Sequence, residues 1–209
     1  MTTLLLKGFL VITTCLLPIA IVLIFYRTAL LHLLLYHGRF ELHFVKETSE
    51  VLLGYVPGIL FLSFNNLFQR LFFIRKQFSL LMWMTLATSC LNLFFDVFLS
   101  RHYSIVGIAL STSLVEMIYF LLLLFFIRGM LDSFFAQLKG GLFPILISSG
   151  CLTMTFAAAS HLYPISLETS RFGLFSTLMV HLGLGAAVYL SILFMWLRGR
   201  GWKWRGDGR

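Results

Sequence analysis

The sequence predicts an all-α, polytopic bundle of about six membrane-spanning helices, and three observations carry that prediction. Of 209 residues, 59% are hydrophobic and only 11% are charged, with a mean hydropathy of +0.94. A soluble domain of this size must keep its outside wettable, whereas side chains facing lipid can be as apolar as a core. The apolar residues also come in six runs of 19 to 26 residues, the length that crosses a bilayer as a helix. An outer-membrane barrel would instead alternate apolar and polar residues in pieces of about ten. Finally, the charges lie between and after these runs. Five of the sixteen Lys/Arg fall in the last twelve residues, so the net charge of +8 reads as a topology device and not as a nucleic-acid surface.

The first run, Gly8 to Tyr26, would be about 28 Å long as a helix. Lys7 precedes it, as in a signal peptide. The run is long for that role, contains Pro18 and lacks a small-x-small cleavage site, so an uncleaved span is expected. Thr28 to Tyr36 is too short to span alone, and either continues this helix beyond a bend or lies in the interface. A polar segment, His37 to Glu50, leads into the second run, Val51 to Gln69, where Gly54, Pro57 and Gly58 predict a kinked or loosened turn. The third run, Phe78 to Leu99, and the fourth, Ser104 to Ile127, are separated so briefly that they must be antiparallel neighbours. Leu142 to Tyr163 and Phe172 to Leu197 form the fifth and sixth, and Trp202 and Trp204 in the basic tail suit a membrane interface.

Counting Lys and Arg on alternate sides orients the bundle. With the amino terminus inside, the inner segments hold eleven and the outer segments five, which places both termini in the cytoplasm.

Polar residues inside the runs are the places where function can be written. In the third run Thr85, Ser89, Asn92 and Asp96 recur at steps of four, three and four, on one helical face. An isolated carboxylate in hydrocarbon costs at least about 2.5 kcal/mol, so this stripe must face protein or water. Thr112, Glu116 and Tyr119 share a face of the fourth run. Glu116 is the acidic residue placed deepest, and if ionised it needs a partner or a watery cavity. The second run contributes Asn65, Asn66 and Gln69. These residues either line a path for a polar substrate or hydrogen-bond helix to helix. Small residues at four-residue steps, Gly183, Ala187, Ser191 and Ser149, Thr153, Ala157, mark expected helix contacts.

Catalytic and metal constellations are scarce. Cys15, Cys90 and Cys151 lie one per run without shared spacing, as apolar fillers. His37, Glu41, His43 and Glu47 cluster in one loop, but not as two histidines on a helix with a glutamate between them. His161 and His181 are expected to serve as hydrogen-bonding packing residues. No nucleotide loop, serine–base arrangement or paired carboxylate is visible, which excludes an ATP-driven pump and argues against an enzyme. No cofactor or metal is expected.

A succession of motifs adds a resemblance. Leu34-Leu-Tyr-His-Gly-Arg-Phe40, followed by Thr48, Leu53, Tyr55 and Gly58, then Arg70-Leu-Phe-Phe-Ile-Arg75, Asn92, and Gly107-Ile-Ala-Leu-Ser-Thr-Ser113 resemble the MviN/MurJ family of lipid II flippases. This family sits within the multidrug, oligosaccharidyl-lipid and polysaccharide exporters. Residues 16 to 127 carry the likeness, and the last two runs agree in hydropathy and order. The resemblance implies the family's ninth to fourteenth helices, out of fourteen. It also implies a bacterial inner-membrane protein that handles undecaprenyl-linked peptidoglycan precursor. Residues 1–133 would be four spans of the carboxyl-terminal lobe, 134–197 two additional spans forming a groove for the lipid tail, and 198–209 a basic cytoplasmic tail. Two features depart from the family. Arg75-Lys-Gln-Phe-Ser79 replaces the usual Thr-Pro, and the earlier helices that build the family's cationic cavity are absent from this sequence.

The expected function is therefore the carboxyl-terminal part of a lipid II flippase, not competent alone because half a cavity cannot alternate access. Its expected partners are the bilayer and a lipid-linked oligosaccharide precursor, and three origins stay open: a fragment, one product of a split gene with a separate chain supplying the missing helices, or a shortened relative. Thr112, Asn92, Asp96, Asn65, Asn66 and Gln69 are the candidate cavity-lining residues around Glu116, and Glu116 is the candidate for a proton role. The alternatives are a non-transporting scaffold or inactive remnant, and a lipid-modifying membrane enzyme, for which only the His37 to Glu47 loop speaks.

Overall fold

A computed structural model of the protein describes residues 2–36, 42–128, 132–162 and 171–199. They form five helices: α1 (Thr2–Leu35), α2 (Leu42–Ile74), α3 (Phe78–Ile127), α4 (Asp132–Leu162) and α5 (Arg171–Gly199). Each contains a stretch long and apolar enough to cross a membrane. The chain divides into two compact units, Met1–Lys139 and Gly140–Arg209. The basic tail beyond residue 199 and residues 37–41 of the His/Glu loop lie outside the described residues.

α3 holds two of the six expected spans. Its 50 residues would make a rod of about 75 Å, more than twice the hydrocarbon thickness. Within it Ser104 alone is non-helical, with φ 52° and ψ −135°. The contacts show a reversal there. Thr85 meets Tyr119, and Ser111 donates a hydrogen bond to the Asp96 carboxylate. Paired residue numbers that fall on one side as they rise on the other define antiparallel arms. At the corner a side chain on Gly107 would collide with the Leu99 carbonyl, so the arms can close only around a glycine.

α1 continues through Pro18 and Arg27 as one 34-residue helix, so Thr28 to Leu35 extends the first span. α1 and α2 are antiparallel. Phe9 stacks on Phe64 at 4.4 Å near one end, and Thr28 donates to Ser49 at 3.3 Å near the other. α2 and the second arm of α3 run parallel, with Gly54 against Ala109, Gly58 against Ser113 and Asn65 against Glu116. Phe61, Phe64 and Phe68, spaced along α2, all pack on Phe120 with ring centres 5.7–5.8 Å apart. α2 is thus the central helix of this unit, apolar toward Phe120 and amide-bearing beside it.

The expected loosening of α2 takes a specific form. Pro57 lacks an N–H and so leaves a carbonyl without its helical partner. Beside it, the Ser113 hydroxyl donates to the Gly54 carbonyl at 2.6 Å and accepts from the Gly58 N–H at 3.0 Å. Those are the two groups an uninterrupted helix pairs with each other. A side chain inserted into the helical ladder is one of the recognised causes of helix bending. α2 ends where Gln77 N–H reaches the Phe72 carbonyl and Lys76 N–H reaches that of Phe73. Lys76 adopts the left-handed φ of 57° that this cap requires.

In the second unit α4 and α5 are antiparallel. Gly185 admits the Phe156 ring and Leu152, and His181 meets the Ala159 carbonyl at 3.3 Å. Gly183, by contrast, has open space around it, and Ala187 and Ser191 are exposed. The contact face is therefore His181, Gly185 and Tyr189, shifted by two residues from the expected row of small side chains. Both rows repeat every four residues, and only the neighbour's bulky Phe156 distinguishes them.

Large apolar side chains cover the outside. Trp83, Phe94 and Phe125 are 61%, 63% and 66% exposed. Water would penalise that surface and acyl chains would not.

Candidate functional site

Between α2 and the two arms of α3 lies a cavity of about 530 Å³. Gln69 comes from α2, Thr85, Thr88, Ser89 and Asn92 from the first arm, and Thr112, Glu116 and Tyr119 from the second, with Leu62, Leu93 and Val115 between them. The four-three periodicity of α3 brings this set together. Residues 85, 89 and 92 share one face of the first arm. Residues 112, 116 and 119 share one face of the second, and the reversal at Ser104 turns the two faces toward each other.

Glu116 stands midway along the second arm and is held from α2. Asn65, fully buried, donates its side-chain amide to the Glu116 carboxylate at 2.7 Å and to the Glu116 backbone carbonyl at 3.0 Å. One amide thus orients the carboxylate and ties two helices together. Across the cavity the Tyr119 hydroxyl pairs with Thr85 at 3.2 Å and also meets Gln69.

Other polar groups lack such partners. The Oδ1 atoms of Asn65 and Asn92 are buried without a hydrogen bond. A buried polar atom left unpaired costs about 1–3 kcal/mol, which marks these positions as ones where further groups are expected. Thr112 uses its hydroxyl proton on the Ile108 carbonyl at 3.0 Å and retains acceptor capacity.

The sequence candidates are distributed as follows. Gln69, Asn92, Thr112 and Glu116 line the cavity. Asn65 sits behind Glu116 as its clamp. Asp96 lies outside the lining and bonds Ser111 near the corner of α3. Asn66 is exposed on α2 and outside the lining. Ser111 and Ser113 were absent from the candidates, although both are buried and bond across helices. The available signal was Ser111-x-Ser113 facing a Gly-x-x-x-Gly pair around a proline.

Among the described lining residues there is no Lys, Arg or His, and Glu116 is the one carboxyl group. Among the described residues no three His, Cys, Asp or Glu side chains are grouped to hold a metal ion. The expected loop is helical from Leu42 onward, so His43 and Glu47 stand one turn apart at the start of α2 and form an exposed pair at 3.1 Å. His37 and Glu41 lie outside the described residues.

Comparison with known proteins agrees with this architecture. The family profile "Lipid II flippase MurJ" matches residues 1–183. The chain is 26% identical over 153 residues to the "Probable lipid II flippase MurJ" of Borreliella burgdorferi, covering 69% of this chain and 30% of that protein. It is 33% identical over 97 residues to the protein of the same name from Thermotoga maritima, covering 46% of this chain and 20% of that protein. A solved structure of lipid II flippase MurJ in an inward closed conformation superposes with a TM-score of 0.70 at 21% identity, over 95% of this chain and 42% of that one. The chain therefore spans less than half the length of the proteins it matches. With the fold shared over nearly all its length and the profile covering 183 of its 209 residues, this multi-pass membrane chain belongs to the lipid II flippase MurJ family.

Proposed function

We propose that the chain forms the carboxyl-terminal part of a transporter that moves undecaprenyl-linked peptidoglycan precursor, lipid II, across the bacterial inner membrane. In this reading it works by transport and not by catalysis, with both termini cytoplasmic. These 209 residues do not transport by themselves, and further helices, of the kind that make up the rest of the longer relatives, complete the cavity.

The observation that carries this reading is the clamped carboxylate. Glu116 faces a membrane-depth cavity, is oriented by the Asn65 amide at 2.7 Å, and has no cation beside it among the lining residues. A carboxylate so placed in hydrocarbon marks functional use more often than packing. A proton taken up by Glu116 would change the charge of the cavity wall without moving a helix, and an ion gradient could thereby act on the site. α2, with Ser113 wedged beside Pro57, is the wall best built to yield. Discontinuous or loosened helices at a substrate path are a recurring feature of transporters.

The test is growth of a bacterial strain depleted of its own lipid II flippase. The chain alone is expected to give no growth, and co-expression with a product carrying the eight preceding helices of a relative is expected to restore it. Glu116→Gln should abolish rescue or shift its pH dependence. Full rescue by Glu116→Gln at every pH removes the proton role. Rescue by the chain alone removes the requirement for further helices. No rescue by either arrangement would favour a non-transporting scaffold or inactive remnant.

A further inference from the structure

Taking the cavity as the substrate-facing site proposed above, we infer which part of an amphiphilic, phosphate-bearing substrate it receives: an uncharged saccharide, and not the anionic phosphate.

The described part of the lining gives an anion no partner in charge or geometry. Phosphate oxygens are held by Arg or Lys, or by free backbone N–H groups at a helix N-terminus. The described lining residues include no Lys, Arg or His. They all lie inside helices, where the backbone N–H groups are already used. Glu116, the one carboxyl among the described lining residues, offers a phosphate no counter-charge in either protonation state. A bare cation is a poor match for the opposite reason. About 530 Å³ is far larger than an ion with its close shell of oxygens, yet it lies within the range of cavities that take small organic molecules.

The lining groups match a sugar. Saccharide hydroxyls both donate and accept, and an N-acetyl group adds one donor and one acceptor. Gln69 and Asn92 offer amides with both capacities, Ser89 and Thr112 offer hydroxyls, and Glu116 accepts. The Asn92 amide and the Ser89 hydroxyl lie one turn apart on the first arm. Neither has a hydrogen-bond partner among the described residues, and the Asn92 Oδ1 is buried. These are the groups a ligand would satisfy. Leu62 and Leu93, accessible within the lining, supply the apolar surface against which the C–H face of a pyranose rests.

Binding can be read without transport. The 209-residue chain in lipid nanodiscs would be titrated with di-N-acetylchitobiose and followed by saturation-transfer difference NMR. A parallel titration with inorganic pyrophosphate would be followed by phosphorus NMR. The disaccharide is expected to receive saturation, and pyrophosphate is expected to show no broadening. Asn92→Leu and Gln69→Leu should each reduce the disaccharide signal at least five-fold. Ser89→Ala, which leaves the helix intact, should reduce it about two-fold, and Asn66→Leu, outside the cavity, should leave it unchanged. Binding of pyrophosphate, a response to sodium chloride alone, absence of disaccharide binding, or equal binding by every variant would each overturn the inference. This result is separable from the transport reading. Unimpaired growth with Glu116→Gln would remove the proton role and leave sugar binding standing. Loss of sugar binding with growth intact would remove only the sugar.

Discussion

Gly58→Ala tests the contact that holds α2 against the second arm of α3. The new methyl would lie 2.7 Å from Ser113 Oγ and 3.1 Å from Ser113 Cα. The hydroxyl can rotate away, but the backbone carbon cannot, so the helices must separate by several tenths of an ångström. Over-packing of this kind costs about 1–3 kcal/mol. Separation also stretches the two bonds of the Ser113 hydroxyl, at 3.0 and 2.6 Å, each contributing about 0.6 kcal/mol inside a membrane protein. Alanine regains about 1 kcal/mol of helix propensity over glycine, leaving a net loss of about 2 kcal/mol. Ser113→Ala alone should cost about 1 kcal/mol from the two bonds. In that background Gly58→Ala should cost about 1 kcal/mol less than in the native chain, because its tightest contact is gone. The assay is SDS-driven unfolding from mixed micelles followed by far-ultraviolet circular dichroism. A Gly58→Ala protein as stable as the native one, or strict additivity of the two substitutions, would refute the wedge.

Other perturbations follow from the same geometry. Asn65→Leu removes the amide that meets Glu116 twice but also removes a buried unpaired Oδ1, so the expected loss is modest, about 1 kcal/mol in the same unfolding assay. Gly107→Leu drives a side chain into the Leu99 carbonyl at the corner of α3, and the protein should fail to accumulate in the membrane, as judged by immunoblotting. Ser104→Gly relieves a residue at φ 52° and ψ −135°, a region that disfavours side chains, and should raise stability by about 1 kcal/mol.

The span pattern was legible because lipid imposes a single rule on long apolar runs, and because the charges between them are sparse. The reversal between the third and fourth runs was legible from the short Arg101 to Tyr103 connection. That the backbone would stay helical up to Ser104 on both sides was not, since the turning residue is itself neither Gly nor Pro and the glycine that lets the arms close, Gly107, stands three residues beyond it. The cavity was half legible. Periodicity put Thr85, Ser89 and Asn92 on one face and Thr112, Glu116 and Tyr119 on another. It carries no information about which residue of α2 meets Glu116, and so Asn65, Asn66 and Gln69 looked alike. In the fold they take three different positions, as clamp, exposed surface and cavity wall. Asp96 continues the same stripe, yet it sits one turn too close to the corner to reach the cavity and pairs with Ser111. Tertiary register, set by Gly54, Gly58 and Ser113, made those choices.

Water access to the cavity wall tests the account most directly. With Cys15, Cys90 and Cys151 replaced, Ser89→Cys and Thr112→Cys should react with a membrane-impermeant maleimide, while Phe94→Cys and Phe125→Cys on the lipid-facing surface should not. Reaction of the two phenylalanine positions, with Ser89→Cys and Thr112→Cys reached only by a lipid-soluble reagent, would mean that the polar faces of α3 look into acyl chains and that no polar path runs beside Glu116.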